Sequence, residues 1–233
     1  MSSSVILSIL ALYTAGFIFI FTGFIILKKF KKDKSERYFA YALIFMGLIL
    51  GPLMGTRTIF GILGYHRIDL AIAAFDQLIL VLSLTCFGFY FSFKLFSGKA
   101  KKISLAFFVL LGFFVLAGLV WAFGVEAYTG PHISKWGTEY EPIGKAKIVF
   151  IIAWLSIVLF NLGFLSRRLI DWYKTRKLKY DFYIGLTLFV FFLFFIFEEL
   201  GQMNTWRLVF SRVTSNAIAV VFYLLYTKES FKE

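Results

Sequence analysis

The chain has 233 residues, of which 60% are hydrophobic and only 16% charged, with a net charge of +12 and a mean hydropathy of +0.83. Soluble domains average about 45–50% apolar and about 25% charged residues, so this composition excludes an ordinary soluble protein and indicates an integral membrane protein. The positive charges lie in short clusters between apolar runs instead of on one soluble face, which excludes nucleic acid as the expected partner.

Seven apolar runs are long enough to cross about 30 Å of hydrocarbon as helices, which takes roughly 20 residues. None has the alternation of a membrane strand, and helices satisfy their own backbone polar groups in lipid. The sequence therefore predicts an all-α polytopic membrane protein, a seven-transmembrane-helix bundle that forms a single domain over residues 1–233. The predicted helices are at about 5–27, 38–61, 69–96, 103–124, 146–166, 181–202 and 206–226.

Basic residues are divided unequally between the two sets of loops. Segments 28–37, 94–102, 167–179 and the tail after Tyr226 carry eighteen of them, whereas the opposite side carries five. Because basic residues are retained on the cytoplasmic side, the N-terminus is predicted to lie outside and the C-terminus in the cytoplasm. We expect a protein of the plasma (cytoplasmic) membrane whose basic loops contact a cytoplasmic protein or anionic lipid.

Small residues in the second run predict close helix packing. Gly47, Gly51 and Gly55 repeat every four residues and place three glycines along one stripe, which suits a neighbouring helix of the bundle or of an oligomer. Pro52 within this stripe lacks a backbone N–H, so we expect a kink and a freed carbonyl near residue 48.

The longest outer segment, residues 124–145, combines glycine, proline and acidic residues with three aromatic side chains. It is predicted to form a structured loop at the membrane interface. Its aromatic residues favour an interfacial anchor, and a lid over an outer cavity is the functional alternative.

Charged side chains from four predicted helices fall at one depth, in the outer third of the membrane. These are Arg57 in the second run, Asp76 in the third, Glu198 and Glu199 in the sixth, and Arg212 in the seventh. A charge in lipid costs roughly 2.5–3.5 kcal/mol or more, so each of them must be paired or hydrated. We expect Arg212 to pair with Glu198 or Asp76 around a water-accessible outer cavity.

Periodicity indicates which polar side chains face the interior of the bundle. In the third run, Asp69, Asp76, Ser83 and Tyr90 repeat every seven residues and form one stripe. The corresponding sets in other runs are Arg212, Ser215, Asn216, Ala219 and Tyr223; Glu198, Thr187 and Gln202; and Asn161 with Trp154.

These residues define a candidate ligand-binding site with three possible roles: ion pairs that only fix the helices, a hydrated site for a ligand or ion, or a proton-linked switch. The candidate ligand-binding residues are Arg57, Asp76, Gln77, Glu198, Glu199, Gln202, Arg212 and Asn216.

The sequence contains no motif that is typical of an enzyme active site. His66 and His132 are the only histidines and lie in or beside outer loops, which excludes bis-histidine haem ligation inside the bundle. The seventh run has no lysine for a retinal Schiff base, and no hydrolase, metalloprotease or phosphate-binding motif is present. We therefore assign no catalytic residue, metal or cofactor, and an enzyme is the less favoured class.

In topology alone the arrangement resembles seven-helix receptors and the membrane sensor modules of bacterial signalling proteins. The DRY and NPxxY motifs of G-protein-coupled receptors are absent, since YFSFKLF and SNAIAVVFY stand in those places. This likeness of fold does not by itself assign function. The sequence favours a receptor-like sensor that binds a small molecule or ion from outside. The alternatives are a small transporter or channel using the same charges, and a non-catalytic subunit of a membrane complex or homo-oligomer.

Overall fold

The computed structural model describes residues 3–124, 128–134, 137–142, 145–175, 180–200 and 205–227. Side chains are described for residues 3–120, 148–149, 151–175, 180–194 and 209–227.

All seven predicted runs form helices. Residues Lys34–Leu48, Ile49–Leu53 and Met54–Ile62 make one continuous helix, α2, whose central part has π-helical geometry. Six of the seven helices are long and apolar enough to cross a membrane, and the described apolar part of the remaining one, Tyr180–Phe194, is shorter. The helices are α1 Ser3–Lys29, α2 Lys34–Ile62, α3 His66–Leu95, α4 Gly98–Gly124, α5 Lys145–Thr175, α6 Tyr180–Leu200 and α7 Thr205–Thr227.

The segment between α4 and α5 contains two strands. Strands β1 (Tyr128–Ser134) and β2 (Gly137–Pro142) pair antiparallel, with an irregular register between Thr129 and His132. The structured loop expected here is therefore a β-hairpin, and it is a small addition to a fold that is otherwise helical in the described residues, as the sequence predicted. The backbone of the hairpin lies against residues 54–62, the last turns of α2.

Two tight turns fix both ends of α2. At its start, the Asp33 carboxylate accepts hydrogen bonds from Ser35 N at 2.8 Å, Glu36 N at 3.3 Å and Ser35 Oγ at 2.6 Å, which is an N-cap. Partial burial alone would raise the pKa of Asp33, but these bonds and the nearby Lys94 charge hold it below its usual value. At its end, Gly64 adopts a φ of 83° and the Tyr65 N–H donates to Phe60 O at 2.9 Å, so α3 returns at once beside α2.

The predicted glycine stripe lies against α1, where a glycine of that helix completes the contact. A Cβ placed on Gly16 would lie 2.5 Å from Gly51 Cα and 2.6 Å from Gly47 O, so the two backbones touch. One turn further along α2, Gly55 faces the ring of Tyr13. The prediction of close packing is confirmed, and its partner is a helix of the same chain. The irregularity expected at Pro52 is the π-helical segment Ile49–Leu53, which lies within this contact.

Aromatic rings fill the middle of the bundle. They stack or meet edge to face, as in the pairs Phe39–Tyr226 at 5.6 Å and Phe87–Phe192 at 5.1 Å between ring centroids. The phenylalanines of this aromatic core are each at most 1% exposed and come from α1, α2, α3, α6 and α7: Phe19, Phe39, Phe87, Phe91, Phe191, Phe192 and Phe222.

We predict that Gly16→Ala destabilises the bundle by about 1–3 kcal/mol, the usual effect of overpacking. Its methyl group would meet the backbone of α2, which cannot rotate away as a side chain can. Gly163→Ala on α5 is the matched control, because the nearest atom there is 3.9 Å away. Thermal unfolding in detergent measures both variants. Equal unfolding temperatures for Gly16→Ala and wild type would contradict the contact.

Orientation in the membrane remains a prediction and has a direct test. In a Cys86→Ser background, a membrane-impermeant maleimide applied to intact cells should label Ser3→Cys and leave Lys32→Cys unlabelled. Both positions are exposed, whereas Ser35 in the same loop is only 6% exposed and would not report on topology. The opposite labelling pattern would show that the bundle has the reverse orientation in the membrane.

Candidate functional site

One arginine and two aspartates form a buried charge cluster where α2 meets α3. Arg57 Nε lies 3.1 Å from Asp69 Oδ1, and Arg57 Nη1 lies 3.0 Å from Asp76 Oδ2. Asp69 is in the first turn of α3 and Asp76 is seven residues on, about 10 Å deeper along the same face. The short α2–α3 turn brings Arg57 between them. We call Arg57, Asp69 and Asp76 the Arg57 cluster.

The Arg57 cluster is closed to solvent and holds more acid than base. The side chains of Arg57, Asp69 and Asp76 are 9%, 0% and 5% exposed. With all three ionised, two carboxylates against one guanidinium leave one negative charge. Asp69 Oδ2 is buried and has no hydrogen-bond partner among the described residues, and the same holds for Oε1 of Gln77, the next residue after Asp76. Buried acceptors without donors are costly, so a donor or cation would be stabilised beside either atom, and Asp69 Oδ2 is the one that belongs to the Arg57 cluster.

The predicted stripe on α3 faces inward, as its period required. Asp69, Asp76, Ser83 and Tyr90 are 0–3% exposed. Ser83 Oγ donates to Ala42 O of α2 at 3.0 Å, so this hydroxyl joins the two helices and is not available to a solute. Asn161 and Trp154 of α5 are likewise buried, at 0% and 1% exposed.

The charged residue predicted in α7 binds to α1. Arg212 is 6% exposed and its Nε donates to Ser8 Oγ at 3.4 Å. Asn216 Nδ2 donates to Ala11 O at 3.0 Å and to Arg212 O at 2.8 Å. The arginine that pairs with Asp76 is Arg57 of the adjacent helix, not Arg212, because the tight α2–α3 turn brings Arg57 within reach.

The remaining predicted site residues lie beyond what is described. The Glu198 and Glu199 side chains and the whole of Gln202 lie outside the described residues. The Arg212–Glu198 pair stays a prediction.

A second charge cluster, at the opposite end of the bundle, was not predicted. Lys94 Nζ of α3 lies 2.8 Å from Glu36 Oε1 of α2 and 3.5 Å from Asp181 Oδ1 of α6. Arg168 Nη2 of α5 lies 2.7 Å from Asp181 Oδ2, and the Tyr226 hydroxyl of α7 donates to Glu36 Oε2 at 2.7 Å. This set, the Glu36 cluster, joins five helices, and Glu36 itself is 4% exposed.

Sequence reasoning missed the Glu36 cluster because its basic members were counted as topology signals. Lys94 and Arg168 lie in the basic segments, and Glu36 lies within KKFKKDKSER. The signal that could have found them is the position of the acids. Glu36 and Asp181 each lie in the first turn of a helix, at the end of the bundle where nearly every other charge is positive.

The aromatic core separates the two clusters. Asp76 and Tyr90, two members of the α3 stripe, are about 21 Å apart along the helix axis. Between them the buried face of α3 presents Leu80, Leu84 and Phe87, with the Ser83 hydroxyl already bonded. Within the described part of the chain, no three His, Cys, Asp or Glu side chains converge as a metal site. The arrangement supplies a closed polar site near one end and a polar network at the other.

The chain matches no protein-family model, and neither a curated protein nor a solved structure matches it.

We predict that Arg57→Leu destabilises the protein by about 3–5 kcal/mol, because it leaves two carboxylates buried without a counter-charge. Asp69→Asn and Asp76→Asn added to Arg57→Leu should restore most of the stability, since the neutral amides need no counter-charge. Arg37→Leu, which removes an exposed arginine from the same helix, is the control and should have little effect. Thermal unfolding in detergent compares the four proteins. Failure of the added substitutions to restore any stability would show that charge balance does not hold the cluster together.

Proposed function

We propose that the protein is a seven-helix membrane sensor that binds a small cation, metallic or organic, at the Arg57 cluster and responds through the Glu36 cluster. The observation that carries the proposal is the charge of the Arg57 cluster, one arginine for two buried aspartates, together with the unpartnered Asp69 Oδ2. A cation placed there would balance the remaining negative charge and occupy the free acceptor.

The position of the β-hairpin supports access from the end that is predicted to face outside. Its backbone lies against residues 54–62, the part of α2 that carries Arg57. A hairpin in this place would control entry to the cluster, which is the lid that the sequence of residues 124–145 offered as the alternative to an interfacial anchor.

The aromatic core favours a sensor over a transporter. A transported ion needs polar groups along the whole path, and the described α3 face between Asp76 and Tyr90 offers only the engaged Ser83 hydroxyl. A sensor needs only a mechanical connection. Helix α2 provides one, because it carries Arg57 in one cluster and Glu36 in the other.

The response would arise at the Glu36 cluster, whose ion pairs join four helices and whose Tyr226 hydroxyl adds a fifth. A small rotation of α2 or α3 would change the 2.8 Å contact between Lys94 and Glu36 and the 3.5 Å contact between Lys94 and Asp181. Packed interfaces with alternative pairings switch between discrete states instead of deforming continuously. The exposed basic loops beside this cluster would present the change to a cytoplasmic protein.

Ligand binding is tested by thermal unfolding of the detergent-purified chain with sodium, calcium or methylammonium chloride. We expect at least one cation to raise the unfolding temperature of wild type. At a hundredfold excess over its dissociation constant, such a cation increases the free energy of unfolding by about 2.7 kcal/mol. Asp69→Asn should abolish the gain, whereas Asp171→Asn, which removes an acid at the other end of the bundle, should keep it. Equal gains in wild type and Asp69→Asn, or no gain with any cation, would leave the Arg57 cluster as a purely structural ion pair.

The response is measured in the same samples by spin labels. In a Cys86→Ser background, labels on Lys31→Cys and Lys174→Cys flank the Glu36 cluster at exposed positions. The stabilising cation should shift the distance distribution between the labels, and Asp69→Asn should prevent the shift. Cation binding without any change in the distance between the labels would support the binding site but contradict its coupling to the Glu36 cluster.

A further inference from the structure

A groove runs along the outer surface of the bundle between α1 and α7, with a volume of about 570 Å³. Its walls are apolar and largely aromatic, and the rings of Phe21 and Tyr223 lie 6.2 Å apart between their centroids. Tyr223 was expected in the interior stripe of α7, but it lines this groove instead. The lining includes Phe17, Ile20, Phe21 and Phe24 of α1 and Val220 and Tyr223 of α7.

The α1 side of the groove ends in a lysine. Phe17, Phe21, Phe24 and Lys28 are spaced four, three and four residues apart, so they share one face of the helix. The three phenylalanines are 60%, 58% and 57% exposed, and Lys28 is exposed one turn beyond them. From Phe17 to Lys28 the helix rises about 16 Å, which is close to half of the roughly 30 Å hydrocarbon thickness. The groove and its lysine therefore match the depth of one membrane leaflet.

The groove opens onto an unneutralised cationic loop. Lys28, Lys31 and Lys32 are exposed, and none of their ammonium groups has an acidic or hydrogen-bonding partner among the described residues. The acid of this loop, Asp33, is occupied by the N-cap of α2. Lys29 differs from its neighbours, because its Nζ donates to Tyr226 O of α7 at 3.0 Å and so holds the two walls of the groove together.

From these features we infer a binding site for an anionic phospholipid. One acyl chain lies in the α1–α7 groove against Phe17, Phe21 and Phe24. The phosphate headgroup lies at the mouth of the groove and is bound by Lys28, Lys31 and Lys32. A single amphipathic ligand accounts for both the apolar groove and the lysines at its mouth. Because three unpaired ammonium groups lie there, an anionic headgroup is favoured over a zwitterionic one.

A second copy of the chain fits the groove less well. Two copies packed through this face in one membrane would be parallel, and a two-fold contact would set the Lys28 loop of one against the same loop of the other. Like charges in that position disfavour the contact. The inference does not depend on the proposed sensor function, because the side chains that would contact the lipid belong to neither charge cluster.

Native mass spectrometry of the detergent-purified full chain tests the site. The protein is offered phosphatidylglycerol and phosphatidylcholine with identical acyl chains, and the adducts are counted. We expect one phosphatidylglycerol to be retained in preference to phosphatidylcholine. The variant Lys28→Gln/Lys31→Gln/Lys32→Gln should lose this preference, by about fivefold in affinity for each lysine removed. Lys99→Gln/Lys102→Gln, which removes two exposed lysines elsewhere on the same end, should retain it.

The acyl-chain part of the inference has its own pair of variants. Val220→Trp fills the groove and should weaken phosphatidylglycerol retention, whereas Val213→Trp, also exposed on α7 but outside the groove, should not. Glycerol phosphate, which has the headgroup chemistry without the chain, should not displace the lipid at equal concentration. Unchanged unfolding temperatures establish that both tryptophan variants fold.

Several outcomes would overturn the site. If wild type retains the two lipids equally, the adducts are non-selective bulk lipid. If the two lysine variants lose phosphatidylglycerol equally, the preference comes from the overall positive charge of this end and not from a site. Full displacement by glycerol phosphate, or no effect of Val220→Trp, would show that the acyl chain does not lie in the groove. A dimer that Val220→Trp dissociates would assign the groove to a second copy of the chain.

Discussion

A charge inside the bundle is stabilised where another helix supplies a counter-charge or a hydrogen-bonding group, because lipid offers neither water nor ions to solvate it. This constraint fixes the neighbours of α2. Arg57 requires the two aspartates of α3 on one side, and Glu36 requires Lys94 of α3 and the Tyr226 hydroxyl of α7 at the other end. Sliding α2 by one turn, about 5.4 Å, would separate both sets of partners at once. The two clusters therefore define a single register for the helix that joins them.

Between the clusters the helices are held together by the close packing of aromatic side chains. Rings such as Phe39, Phe87 and Phe192 are fully buried and contact each other across helices, so a shift of one helix displaces several neighbours. A core of this kind transmits small motions and excludes ions. These two properties favour a protein that reports occupancy at one end to the other over a protein that passes a solute through.

The helices were predictable because the length and apolarity of a span are local properties of the sequence. The burial of Asp69 and Asp76 followed from their seven-residue spacing, and the glycine stripe on α2 indicated a close contact. The partners were not predictable in the same way. Arg57 reaches Asp76 only because Gly64 makes the turn short, and Lys94 reaches Glu36 from a distant segment. Spacing within one helix reveals which face is polar. The identity of the facing residue depends on how the helices are arranged, and one sequence does not contain that information in a local pattern.

Helix α1 connects the separate features of the molecule. Its glycine face touches α2 at Gly51, while Ser8 and the carbonyl of Ala11 accept hydrogen bonds from Arg212 and Asn216 of α7. Its exposed face forms one wall of the α1–α7 groove, and its last residue, Lys29, donates to the carbonyl of Tyr226. The hydroxyl of that same tyrosine donates to Glu36. An acyl chain between α1 and α7 would therefore press on the helix pair that holds Tyr226, so lipid occupancy and the state of the Glu36 cluster are expected to be linked through this one residue.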